Sequence, residues 1–231
     1  MNKKIYIILP HKDQFIKNYA GSASIWVKDF LTLTKFKNNI TVFGSTKNVT
    51  KVFFKKNYQN ISINNLKLLS KSKYYLDKVL NFCKKENPSI IEIHNRPSYL
   101  NTIYKQYSSA NFILIFHNDP LNLRGSSTLN ERLDLLKKCY RIYFVSSWVE
   151  EKFFSGIDKN FYSNFRTIYP SIEPIKKFPK KENLIMFSGK LNSAKGFDQF
   201  SLAIIKILNK FKNWKSIVIG DEPRERFNFK H

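Results

Sequence analysis

Cysteine is nearly absent. Cys83 and Cys139 are the only two in 231 residues, each in a helix-like segment, with neither pairing nor metal-ligand spacing. That excludes a disulfide framework and points to a reducing compartment. Acidic residues are also scarce, 17 against 40 basic ones, for a formal net charge of +23. Among the basic residues arginine is the rare one, confined to positions 96, 124, 132, 141, 166, 224 and 226. A lysine excess beside abundant Asn, Ile, Phe and Tyr reads as the codon bias of an AT-rich genome, with lysines scattered over every solvated face. Whatever its origin, such a surface attracts polyanions: nucleic acid, an anionic membrane face or a phosphorylated substrate. No apolar run approaches the ~18 residues of a membrane span. The N-terminal apolar stretch, Ile5 to Leu9 before Pro10, is too short for a signal peptide. The expected location is the cytoplasm, including the periphery of the inner membrane face, where each near-surface lysine contributes up to about 1 kcal/mol.

Several motifs are missing as well. A G-x-G-x-x-G fingerprint is lacking, which argues against NAD or FAD in the usual mode and against a nucleotide-sugar epimerase that would need it. A Walker A loop would require Gly where Leu184 stands and Ser or Thr where Leu191 stands. No G-x-S-x-G elbow is present. For nucleic acid there is no zinc finger, arginine-rich stripe or aromatic RNA-binding motif. Hydrophobic residues make up 42% and aromatics 16%, enough for a folded core.

What is present is alternation. Residues 4–9 form a continuous apolar run, as in a strand buried on both faces. A polar loop to Gly21 and a helical pattern from Ala23 follow, with Ser22 or Ser24 as a candidate cap. Further strands are expected at 40–44, 89–95, 111–119, 141–147 and 167–173, with weak strand signal over 52–63. Helices are expected at 70–86, 98–108, 128–139 and from Trp148. Strand-helix alternation at this spacing predicts an α/β fold with a Rossmann-like, doubly wound parallel sheet. In such sheets ligands bind beyond the carboxyl ends of the strands. His11, Gly21, His94-Asn95-Arg96, His117-Asn118-Asp119 and Ser146-Ser147 occupy those places.

Residues 174–183, PIKKFPKKEN, have the composition of a linker. Beyond them come a strand from Leu184, a helix at 195–212 and a strand from Trp214. The expected domains are therefore 1–173, a linker at 174–183, and 184–231, too short a segment to bury its own apolar faces. The loop between its first strand and its helix carries Gly189, Lys190, Lys195 and Gly196. Glycine allows close approach of the backbone, the helix start offers free amides, and two lysines add charge: together they favour an anion. His117, at the end of an apolar strand, can bond a hydroxyl or polarise a leaving oxygen. A metal site built from Glu92, His94, His117 and Asp119 has no local ligand spacing, so no metal is expected.

Taken together, the order of these pieces resembles retaining GT-B glycosyltransferases of family four. The resemblance rests on Gly189-Lys190-Leu191, Lys195-Gly196-Phe197 and Gly220-Asp221-Glu222-Pro223, against a family pattern of G-R-L-x-x-x-K-G-x-x-x-L followed by a strand closing in G-D-G-P. It implies a GT-B N-terminal domain followed by an incomplete second Rossmann-like domain. The implied activity is transfer of a sugar, with retention, from a nucleotide-diphosphate sugar to a cell-envelope glycan such as lipopolysaccharide, or to a lipid-linked acceptor. On the same footing, Gly21, Lys190 and Lys195 would bind the donor diphosphate. His117 would sit at the transferred sugar as the catalytic residue, and His94 and Asn95 would line the acceptor cleft. No cofactor beyond the donor substrate is implied. Lysine at 190 replaces the family's arginine and loses its bidentate fork. The family's later E-x-x-x-x-x-x-x-E motif is not in this chain, so a truncated enzyme of doubtful independent activity is expected. The alternative is a basic α/β binding module for an anionic membrane surface or nucleic acid.

Overall fold

The computed structural model describes residues 3–63, 70–171, 174 and 177–220. The chain separates into two compact units, Met1–Ser171 and Ile172–His231.

The first unit alternates as the apolar runs predict. Strands are β1 (Ile5–Ile8), β2 (Ile40–Gly44), β3 (Tyr58–Asn60), β4 (Ile90–His94), β5 (Asn111–Phe116), β6 (Arg141–Phe144) and β7 (Phe165–Thr167). Helices are α1 (Ser22–Leu33), α2 (Lys71–Glu86), α3 (Pro97–Tyr104), α4 (Leu129–Lys138) and α5 (Ser147–Phe153). All strands pair in parallel, in the order β3-β2-β1-β4-β5-β6-β7. The order reverses between β1 and β4, so the loops after these two strands diverge and leave a crevice between them, the usual ligand position in such sheets.

Alternation along β1 explains the two layers. Tyr6 and Ile8 join the core on the α2 and α3 side, with Tyr75, Val79 and Leu100. Ile7 and Leu9 pack on the opposite face with Ala23, Val27 and Leu31 of α1. Each such fully buried side chain stabilises the fold by about 1.5–3 kcal/mol. Cys83 and Cys139 are free and buried; burial pushes the Cys83 thiol up to about 12, so it behaves as core rather than as a nucleophile.

Element ends differ from the sequence pattern where polar side chains capture the backbone. The strand expected at 111–119 stops at Phe116 because Asp119 caps a short turn, accepting from the Leu121 amide at 2.9 Å. The last strand lies at Phe165–Thr167 rather than 167–173; Pro170, with no amide hydrogen, cannot extend its ladder. Two of the residues expected in that strand, 172 and 173, lie outside the described residues.

The second unit contains β8 (Leu184–Ser188), α6 (Phe197–Lys210) and β9 (Lys215–Ile219). The two strands pair in parallel. Phe187 packs on Phe197 and Phe200, each ring pair 5.2 Å apart. Met186, Ile217 and Ile219 are exposed, as are Leu202 and Ile205 of α6. The Asp221-Glu222-Pro223 part of the family pattern lies outside the described residues.

Candidate functional site

A chain of three side chains runs up from the sheet at the ends of β4 and β5. Glu92 Oε1 lies 2.8 Å from His94 Nε2, and His94 Nδ1 lies 2.9 Å from His117 Nε2. Residues 92 and 94 share one face of β4 by the period of two, and the β4–β5 pairing brings His117 alongside. His94 is completely buried. The imidazole rings stack with centroids 5.2 Å apart, and Trp26 of α1 meets the His117 ring edge-on at 5.7 Å. Burial, and then the neighbouring His94, pull the His117 pKa down from 6.5 to about 3, so the ring is neutral at ordinary pH.

The bonds have one direction when His94 carries a single ring proton. A carboxylate only accepts, so His94 carries its proton on Nε2 and accepts at Nδ1. His117 donates from Nε2 and keeps a lone pair on Nδ1, which has no partner among the described residues. His117 is half-buried, leaving this atom as a candidate acceptor for a substrate hydroxyl.

Asn95 stands next to this chain in the left-handed region, at φ 52°. Its side-chain oxygen accepts from the amides of His117 at 3.3 Å and Asn118 at 3.2 Å, tying the β4 and β5 loops together. The sequence expectations thus come together for His94, Asn95 and His117. His94 acts from beneath His117 and presents no surface of its own. Among the described residues no cluster of His, Cys, Asp or Glu could hold a metal ion.

Gly21 precedes α1, but its amide is taken. Asp13 Oδ1 accepts from Gly21 N at 2.7 Å, and Asp13 Oδ2 accepts from Ser24 N at 3.3 Å. A carboxylate of this chain therefore sits where a phosphate would at the start of α1. Asp13 was not singled out from sequence; an acid eight residues ahead of a glycine has no local signature.

A cavity of ≈ 320 Å³ opens beyond β1, β4 and β5, lined among others by His11, Asn95, Arg96, Tyr99 and Arg124. His11 and Arg96 follow β1 and β4, the strands flanking the order reversal. His11 Nδ1 bonds the buried Tyr99 hydroxyl at 2.5 Å.

In the second unit, Lys190 and Lys195 occupy the loop from β8 to α6. Both are exposed, and neither ammonium has a hydrogen-bond or ion-pair partner among the described residues. Asn192 accepts from the Lys195 amide at 3.1 Å, and Gly196 turns the chain into α6 at φ 72°. The strand ends behind this loop are nearly in contact: a Cβ on Gly220 would fall 1.7 Å from the Gly189 carbonyl oxygen. Only glycine fits there.

No family model and no curated protein matches the sequence. Solved structures do match. One is HepE of Anabaena in complex with UDP-glucose, at TM-score 0.66 and 11% identity, over 94% of this chain and 60% of that one. Another is a glycosyltransferase of Rickettsia africae, at TM-score 0.59 and 12% identity, over 96% of this chain and 69% of that one. A third is the UDP-GlcNAc 2-epimerase of Methanocaldococcus jannaschii, at TM-score 0.56 and 12% identity, over 93% and 65%. At such identities the likeness is one of fold. The chain spans about 60% of the length of HepE, and its α/β architecture is the Rossmann-like one of GT-B glycosyltransferases.

Proposed function

We propose that this chain is a glycosyltransferase of family four, or a part of one, that uses a nucleotide-diphosphate sugar and transfers the sugar with retention. The observation that carries this reading is the pair of ammoniums of Lys190 and Lys195, without a partner among the described residues, in a strand-loop-helix turn where the space beside Gly196 is open. Two point charges there suit a departing diphosphate. His117 faces the transferred sugar through Nδ1, and His94 and Glu92 hold its tautomer. Asn95 shapes the acceptor side together with the cavity beside it. No protein nucleophile is required in this reading; the lysines stabilise the leaving group. A cell-envelope glycan or lipid-linked acceptor fits a chain of net charge +23 that works near an anionic membrane face.

The test is calorimetric titration of UDP, GDP and ADP and their sugars into the chain, beside Lys190→Ala/Lys195→Ala. Binding of one diphosphate that the double variant loses supports the donor site. Nucleotide binding that the variant retains counts against it.

A second reading follows from the likeness to UDP-GlcNAc 2-epimerase, a fold neighbour that weakens the argument drawn from the missing dinucleotide fingerprint. Incubation with UDP-GlcNAc and no acceptor separates the two: an altered sugar at C2 favours epimerisation, whereas transfer needs an added acceptor. A polycation binding module would instead bind nucleic acid or vesicles without preference and release them at modest salt.

A further inference from the structure

We propose that the cavity beside Asn95 is a phosphate-binding subsite, in which Arg96 and Arg124 hold a phosphate group carried by the acceptor. Calling the ligand an acceptor rests on the glycosyltransferase reading; the phosphate site stands without it.

The first argument is chemical economy. Arginine's planar fork matches a phosphate where lysine offers only a point charge. Arg132 is buried, and its guanidinium donates to the carbonyls of Ser126, Ser127 and Ser155. Arg141 donates to the Ser163 carbonyl. Arg96 and Arg124 instead line one cavity. Arg96 donates once, from Nη1 to the Asn95 carbonyl at 2.9 Å, and neither arginine has a carboxylate partner among the described residues. The cavity lining contains no Asp or Glu. Two uncompensated guanidiniums match a phosphate monoester, which carries about −1.5 to −2 charges at pH 7, better than a singly charged carboxylate.

The second argument is the field in the cavity. The His11 pKa lies below its ordinary value, through burial first and then through Lys12, Arg96 and Lys71. Of these cations, Arg96 lines the cavity together with His11.

The third argument is construction. Gly125 has φ +95°, and a Cβ there would lie 2.7 Å from the Ser98 amide nitrogen. Only glycine allows the 120–126 loop to close onto the start of α3, and that closure brings Arg124 into the same cavity lining as Arg96. Buried Ser126 fastens the same loop, donating to the Pro120 carbonyl at 2.6 Å. The cavity lies at the β1/β4 order reversal, where α/β sheets bind ligands.

The experiment is a titration of inorganic phosphate into the full chain, followed by calorimetry and amide chemical shifts, for the native sequence, Arg96→Gln/Arg124→Gln and Lys84→Gln/Lys137→Gln. The last variant removes the same charge from two exposed lysines that do not line the cavity. Expected is saturable one-site binding, weakened at least tenfold in the arginine variant and retained in the lysine variant. Equal weakening in both variants, no effect of the arginine change, or no phosphate binding at all overturns the proposal. Arg96→Lys/Arg124→Lys guards against misfolding: a folded, charge-preserving variant with intermediate affinity supports the fork. Glucose 1-phosphate and farnesyl phosphate, titrated in parallel, distinguish a sugar phosphate from a lipid phosphate. UDP must still bind the arginine-to-glutamine variant; its loss there would make the cavity a donor site and overturn the acceptor assignment. If none of UDP, GDP and ADP binds any form while phosphate still requires the arginines, the glycosyltransferase reading fails and the subsite remains.

Discussion

His94 Nδ1 lies 2.9 Å from His117 Nε2, and this bond decides which atom His117 turns outward. With one ring proton on His94, held at the far nitrogen by Glu92, His117 presents an acceptor at Nδ1. Glu92→Gln offers an amide donor to His94 Nε2, which allows the whole chain to reverse and gives His117 a proton on Nδ1. Nitrogen-15 shifts of the two rings should report the exchanged tautomer, with transfer activity lowered on the order of 10²-fold. Unchanged ring shifts would mean that the carboxylate does not set the tautomer.

The same burial makes stability depend on acid. The His117 pKa is about 3 in the fold, against an ordinary 6.5. Between those values the unfolded chain binds a proton that the native chain does not. Stability is therefore complete above about pH 6.5 and declines as pH falls toward about 3. Each pH unit in that window costs at most about 1.4 kcal/mol from this group. His11, whose pKa is also depressed by burial, acts in the same direction. Urea midpoints at pH 7 and pH 4.5 should differ more for the native chain than for His117→Asn. Parallel curves for both would remove His117 as the cause.

Much of this arrangement was readable before the structure. Each apolar run became a parallel strand because both faces of the sheet are covered, and β1 divides its side chains between two cores. Histidines and asparagine at strand ends could be found because a parallel sheet gathers those ends. What could not be read was pairing across the sheet. Glu92 holds His94, and His94 reaches His117, just past the end of β5, only through the strand order. Arg96 and Arg124 line one cavity because β4 and β5 are neighbours, a relation without a local pattern. The loop proposed to hold the donor was visible in sequence because its chemistry is local, from Gly189 to Gly196.

Lysine at position 190 is a test of that loop. Lys190→Arg restores a planar fork, so nucleotide-diphosphate affinity should rise severalfold. Lys195→Ala should lower it tenfold or more. Calorimetry with the nucleotide that binds the native chain reads both. A neutral result at both positions would place the diphosphate elsewhere.

Asp13 sets the last prediction, because it competes with any phosphate for the start of α1. Its carboxylate accepts from the Gly21 and Ser24 amides, so Asp13→Ala removes a helix-capping acceptor and should cost about 1 kcal/mol of stability. It also frees the Gly21 amide and removes a negative charge from the helix start. If Gly21 approaches the donor phosphates, Asp13→Ala should tighten diphosphate binding while lowering the melting temperature. These opposite signs cannot both arise from simple damage to the fold. Lower stability with unchanged nucleotide affinity would show that Asp13 is only a cap and that Gly21 lies away from the donor.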